Sequence, residues 1–377
     1  MIDLDGLNRL ISEKTAESID LEFKQVLPDD RDGSRKEFLA DVVAMANASG
    51  GTIIYGLGQD AEGRAAELRP LTGSPDVEQT RIRDMIRSSI EPPLNVRVEV
   101  LDVEGGFVLL VGIDFQFNGP YRTTYQGSRK FTIRDGTSKA EMTYQQLRNA
   151  FGKRDRIFEE IKHVHVERLA DLRQLIALRR FEDKPWLFLH VFPLIAFSDN
   201  RQVDLHAVAK RGYTFSDRYT GHDFFSLDGL KFTLAPSPPY NEYVQFLRNG
   251  AVEVAWNFAA GNTNRKLAAT RIATKLRSSI APVVSELVAQ GLTGPAVFQL
   301  SFLNCESSTL VVEINGWADD VGTVDDKEAV MPGVLIERLE DPLPTIVDPL
   351  AQALLDVLWQ VFGQSKCDYY IKGRWIG

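Results

Sequence analysis

Cysteine is scarce. The chain holds two, Cys305 and Cys367, far apart and without metal-type spacing. Neither a disulfide framework nor a thiolate metal site is encoded, and a reducing compartment is expected. Long apolar runs are missing as well: none approaches the roughly 18–20 residues of a membrane span. The first residues lack the basic-then-apolar pattern of a secretion signal. A cytoplasmic protein with no membrane partner is expected. No Gly-x4-Gly-Lys-Ser/Thr occurs, which excludes a P-loop ATPase, and Gly56-Leu-Gly58 is too short for a dinucleotide fingerprint. Histidine is limited to five residues. His163 and His165 do not share a helix face, which argues against a zinc pair. Positive charge is not in excess either. A net charge of −9 excludes a histone-like polycation, so a nucleic-acid role needs a local basic surface.

What is present reads as two α+β domains in 377 residues. Leu4, Leu7 and Ile11 define a short amphipathic helix, and residues 21–27 a strand. Ser34-Arg-Lys-Glu37 reads as a capping box opening a helix with Phe38, Leu39, Val42, Val43 and Met45 at helical spacing. That helix should stop at Gly50-Gly51, with Asn47 as a cap near its end. A buried strand over 52–57, a turn over 59–63 and a helix over 77–89 follow. Residues 96–103 and 107–115 alternate across Glu104-Gly-Gly and predict a hairpin. A strand at 131–134 and a helix from the Thr143 cap to residue 151 complete a first domain, residues 1–152. This domain should be a mixed, mostly antiparallel sheet with helices packed on it. Residues 153–184 read as a charged helical connector. Residues 185–377 read as a second α+β domain of unassigned role, with strands at 186–191, 243–248, 252–258, 297–302 and 310–314 and long helices at 268–289 and 349–362.

The chemistry concentrates near the start. Glu17-Ser-Ile-Asp-Leu-Glu22-Phe-Lys24 sets two carboxylates and a lysine around one apolar run. Paired acids beside a lysine suit metal-dependent phosphodiester chemistry, in which carboxylates hold a cation and the cation meets phosphate charge. Glu17 and Glu22 are five apart. A straight strand would send them to opposite faces and a helix about 140° apart, so their convergence needs a bend near Ser18. The plainer alternative is a solvated same-face Glu22–Lys24 pair on a half-exposed strand. A second concentration lies between Tyr121 and Arg154, where eight basic residues face two acidic ones. Arg122, Arg129, Lys130, Arg134 and Lys139 interleave there with Tyr121, Tyr125 and Phe131. That is the composition of a surface for single-stranded nucleic acid or splayed RNA bases, unless the rings turn into the core.

Three blocks resemble the Schlafen AlbA_2 domain. They are Glu17-Ser-Ile-Asp-Leu-Glu22-Phe-Lys24; Ala44-Met-Ala-Asn47-Ala-Ser-Gly-Gly51-Thr-Ile-Ile-Tyr-Gly56; and Pro120-Tyr121 with Phe131-Thr-Ile-Arg134-Asp-Gly136-Thr-Ser-Lys-Ala140. The resemblance implies a metal-dependent RNA endonuclease with tRNA as the expected substrate. Its site would be Glu17, Glu22 and a third acid holding Mg²⁺ or Mn²⁺, with Lys24 neutralising phosphate. The family places its third acid directly after the glycine-containing strand. This chain has Gly58-Gln59 there, which makes Asp60 the nearest candidate. In a bacterium such an activity would suit anti-phage defence. The alternative is a non-catalytic nucleic-acid-binding regulator, on RNA or on DNA. The small footprint of one such domain on a folded RNA leaves room for a homodimer.

Overall fold

A computed structural model describes every residue except 1, 115, 179–180, 182, 199–202, 217–218, 237–239, 259–264 and 315–316. The end of the expected 107–115 strand and three residues of the expected connector therefore lie outside the described residues. The chain divides into two compact units, Met1–Arg156 and Ile157–Gly377, and its class is α+β. Among the described residues no helix is long and apolar enough to cross a membrane.

The first unit runs α1 Leu4–Ser12, β1 Leu21–Lys24, α2 Asp32–Asn47, β2 Gly51–Tyr55, β3 Leu57–Gln59, β4 Ala65–Leu68, α3 Pro75–Ser89, β5 Ile90–Glu91, β6 Arg97–Val103, β7 Gly106–Ile113, β8 Arg122–Thr123, β9 Thr132–Asp135, β10 Ser138–Glu141 and α4 Tyr144–Phe151. Its main sheet has the order β1-β2-β7-β6. The β1–β2 pair is parallel and the other two pairs are antiparallel. Alternation divides the core between the two faces. Ile53, Tyr55, Phe107, Leu109 and Val111 pack with Phe38, Leu39 and Val42 of α2 and Ile82 and Ile86 of α3. Ile54, Val108 and Leu110 pack on the other face with Leu7 of α1 and Phe23. Phe23 thus fixes the direction of its neighbours: Glu22 and Lys24 project toward α2.

Two local expectations change. Ser34 does not cap α2. The helix starts at Asp32, and the Ser34 hydroxyl instead accepts from the Asp29 amide, 3.1 Å away, inside the lead-in turn. Asn47 is not a cap but a tie. It accepts from the Tyr121 amide at 2.7 Å and donates to the Tyr121 and Thr132 carbonyls, both at 2.8 Å. The capping box at Thr143–Gln146 is present as expected. Gly51 sits at φ +153, where an added Cβ would lie 2.6 Å from the Asp20 carbonyl. Only glycine lets β2 come this close to the turn that leads into β1.

The second unit centres on an antiparallel sheet. Its order is His222–Phe225, Gly229–Thr233, Glu242–Leu247, Val252–Asn257, Trp186–Pro193, Ala296–Leu303 and Glu328–Val330, with Val334–Ile336 also on Ala296–Leu303. Long helices lie at Ala269–Ala289 and Leu343–Val361. The helix α5, Lys153–Ala177, is continuous, and its Leu169 and Leu172 are part of a core cluster with Phe181, Trp186, Phe188 and Tyr243. A buried polar network runs through this sheet. Glu253 accepts from Arg168, from the Tyr243 hydroxyl at 2.6 Å and lies 3.0 Å from His190 Nε2, while His165 Nε2 lies 3.1 Å from the Ser301 hydroxyl.

This network makes the second unit acid-sensitive. Burial, reinforced by His190, pushes His165 down from the ordinary 6.5 to about 3. Below pH 6.5 the unfolded chain takes up a proton that the folded unit refuses until about pH 3. Stability from this residue is therefore full above pH 6.5 and declines as pH falls toward 3, by up to about 1.4 kcal/mol per pH unit. All five tryptophans lie in this unit, so their fluorescence reports its unfolding alone. Guanidinium midpoints should drop between pH 7 and pH 5 (conditions about 2 units apart), and His165→Asn should drop less. Equal shifts in the two proteins would rule the assignment out.

Candidate functional site

Residues 17–24 bend as the chemistry requires. Ser18 and Leu21 exchange backbone hydrogen bonds in a tight turn, at 3.0 and 3.4 Å. The turn brings the Glu17 carboxylate back along the start of β1. Its Oε1 accepts from the Phe23 amide at 2.8 Å and from Gln59 Nε2 at 2.7 Å, and Gln59 also donates to the Phe23 carbonyl. Glu22, buried at 7 % exposure, is held from two sides. Lys24 Nζ lies 2.7 Å from Oε1, and Arg134 of β9 pairs with Oε2. From α2, Asp41 joins the same cluster. It lies 2.6 Å from Lys139 Nζ of β10 and 3.8 Å from Lys24.

The two glutamates are driven apart in acidity. Burial raises Glu17 above its ordinary value, and the negative charge of Glu22 adds to this against the Phe23 amide. Burial would raise Glu22 too, but Lys24 and Arg134 outweigh it and hold that carboxyl down. Burial also raises Asp41 despite Lys139 and Lys24. Burial would lower Lys24, yet Glu22 and Asp41 keep its ammonium firmly charged. The cluster therefore sets two carboxyls that burial raises, Glu17 and Asp41, beside a Glu22–Lys24 pair held in its charged form.

The expected metal trio is not assembled. Asp60 turns away into the β3–β4 connection, where its Oδ1 accepts from the Glu62 and Arg64 amides at 3.0 and 2.9 Å. These bonds, the one to Arg64 foremost, hold its pKa below the ordinary carboxylate value. Gln59 stands beside Glu17 instead and offers an amide donor rather than a carboxylate. Among the described residues no group of three His, Cys, Asp or Glu side chains is placed to hold a metal ion. Cations of the protein already occupy both oxygens of Glu22 and face Asp41. Mg²⁺ or Mn²⁺ does not fit this arrangement.

The expected basic surface is also largely paired. Arg134 is 5 % exposed, and its place is inside the cluster. Lys139 lies on Asp41, Arg122 lies 2.7 Å from Glu91 and Lys130 lies 3.2 Å from Glu141. Arg129 is exposed. Tyr121 is fully buried in the core, Phe131 packs edge-on against Phe151 at 5.9 Å, and Tyr125 is half-buried with its hydroxyl 2.8 Å from Asp32. Sequence reasoning missed Asp41 and Gln59. Asp41 shares a helix face with Glu37, pointing at β9 and β10, but nothing local distinguishes it from a surface acid. Gln59 carried a signal, since it stands where an acid was expected.

The first unit is thus a mixed parallel–antiparallel sheet with an acid–lysine cluster at the start of its edge strand. Residues 17–143 match the family model described as Schlafen, AlbA_2, so the N-terminal unit carries an AlbA_2 domain. Among solved structures, the N-terminal domain of a RecG-related protein from Nitrosomonas europaea is 22 % identical with a TM-score of 0.28. The match covers 37 % of this chain and 92 % of that one. The DIP2311 protein from Corynebacterium diphtheriae is 19 % identical with a TM-score of 0.26, over 37 % of this chain and 26 % of that one. A comparison with curated proteins finds no match.

Proposed function

We propose that the N-terminal unit binds RNA and cuts it at the cluster of Glu17, Glu22 and Lys24, with tRNA as the expected substrate. One observation carries this reading: two neighbouring carboxyls are pushed in opposite directions, Glu17 up and Glu22 down. Such divergence is how one site sets a proton acceptor beside a fixed charge. Both hydrogen bonds to Glu17 fall on Oε1, which leaves Oε2 for a substrate proton. Glu17 would take the proton of an RNA 2′-hydroxyl as that oxygen attacks phosphorus. The bond to the 5′ oxygen breaks, solvent protonates the leaving oxygen, and the products are a 2′,3′-cyclic phosphate and a 5′-hydroxyl. Lys24, 32 % exposed along its side chain, would face the charge that builds on the phosphoryl oxygens. Because cations of the chain already hold Glu22 and Asp41, no step passes through a metal. In a bacterium, tRNA cutting would act in anti-phage defence, with the second unit sensing a trigger, positioning substrate or pairing two copies.

A second reading, a non-catalytic nucleic-acid-binding regulator, is favoured by the burial of the Glu22–Arg134 pair, which ties β9 to β1 as a structural contact would. Incubating the protein with total tRNA, in EDTA and in Mg²⁺ or Mn²⁺, separates the two. Fragments that form in EDTA and end in cyclic phosphate are the expected result. Fragments that need the metal would restore a metal-bound Glu22. Intact tRNA together with a salt-sensitive gel shift would favour the regulator.

A further inference from the structure

The N-terminal unit has a cleft of about 640 Å³, none of whose lining residues belongs to the Glu17–Glu22 cluster. Arg35 of α2 and Arg81, Arg87 and Ser89 of α3 line it, with Tyr125 from the turn after β8. A volume of this size accommodates a nucleotide unit. Three arginines face one acid, Asp84, within the lining. Asp30 holds Arg35 from outside it, and Glu78 holds Arg81 at 2.7 Å. Those pairs leave donors over. Arg35 Nε and Arg81 Nη1 are both withdrawn from solvent and find no acceptor among the described residues. A buried guanidinium N–H without an acceptor is costly, and phosphate oxygens satisfy such a fork two at a time. Arg87 is exposed at the rim.

The aromatic partner is fixed in place. The Tyr125 hydroxyl donates to Asp32 at 2.8 Å, which anchors the ring, and the next residue, Gln126, is held at φ 51. Holding a non-glycine residue in the left-handed region costs free energy that the surrounding contacts must offset. Arg129, four residues beyond Tyr125 in the chain, is exposed. Guanidinium groups and a rigid ring together fit a nucleotide unit, phosphate and base, better than an isolated small anion.

We propose that this cleft holds a phosphodiester of single-stranded RNA, with Arg81 and Arg87 on the phosphate and a base on Tyr125. The inference rests on the RNA reading above and adds a strand-binding subsite separate from the acid cluster. The test is fluorescence anisotropy of the whole chain with a short labelled single-stranded RNA, read across salt concentrations. Tyr125→Ala should weaken binding about tenfold or more. Arg87→Glu should weaken it and lower the salt slope by about 1. Arg87→Lys should restore most of the affinity, and thermal melting of the two Arg87 variants should match the parent. Variants that bind like the parent would overturn the subsite and leave the RNA reading standing. A parent protein with no salt-dependent RNA affinity would overturn both. Inorganic phosphate or AMP displacing the strand at its own binding concentration would assign the cleft to a small phosphate and overturn the strand.

Discussion

Glu17→Gln should lower RNA cleavage by about 10²–10⁴-fold while RNA affinity stays within a few-fold of the parent. The substitution keeps an oxygen that can accept from the Phe23 amide and from Gln59, so the turn at Ser18–Leu21 should persist. What disappears is the ability to take a proton. The pH profile carries the sharper prediction. Glu17 acts as a base only when ionised, and burial places its pKa above the ordinary 4.5. Cleavage by the parent should therefore rise with pH through that raised value and level off above it, and Glu17→Gln should lose this limb. Quenched-flow cleavage of a single tRNA across acid and neutral pH, with circular dichroism as the folding control, measures both effects. Unchanged cleavage by the variant would remove Glu17 from the chemistry.

Arg168→Met should destabilise the second unit by about 3–5 kcal/mol, the cost of leaving one partner of a buried pair uncompensated. Glu253 is fully buried, at 0 % exposure. Its two oxygens meet Arg168 Nε and Nη2 at 2.6 and 2.8 Å, and Arg168 also reaches Gln245 at 3.1 Å. Burial would push the Glu253 carboxyl up, but Arg168 and His190 hold it well below the ordinary carboxylate value, so it carries charge in the folded unit. Without Arg168 that charge faces His190, the Tyr243 hydroxyl and the more distant ammonium of Lys231. Guanidinium unfolding followed by tryptophan fluorescence should show the loss. Adding Glu253→Gln to Arg168→Met should recover most of it, because the stranded charge goes while Tyr243 keeps an acceptor. A double variant as unstable as the single one would mean that packing by the arginine stem, not charge, is what Arg168 contributes.

Much of the first unit was legible in the chain. The β6–β7 hairpin follows from alternation around Glu104-Gly105, and β7 keeps that alternation: Leu109 and Val111 on one face, Val108 and Leu110 on the other. The Thr143 cap was legible because its partner, Gln146, is three residues away. The same kind of reading failed at Ser34. A capping box competes with every other local donor, and the Asp29 amide reaches that hydroxyl first. The β3–β4 hairpin, with Ala65–Leu68 as its second strand, was missed because its residues carry no clear period.

The site divides along the same line. The sequence by itself determined that Glu17, Glu22 and Lys24 share one short stretch, that the two acids can converge only across a bend, and that Gln59 interrupts the expected third acid. These are consequences of spacing and residue type, which act over a few residues. Only the tertiary structure decided which charges those acids meet. Arg134 reaches Glu22, and Lys139 reaches Asp41 from 98 positions along the chain, because α2 and the β9–β10 ribbon pack on the same side of the sheet as Glu22 and Lys24. An isolated carboxylate in the sequence is open to a metal, a lysine or water. Burial makes that choice, since a carboxylate taken out of water must be neutralised by whatever cation the fold brings within reach.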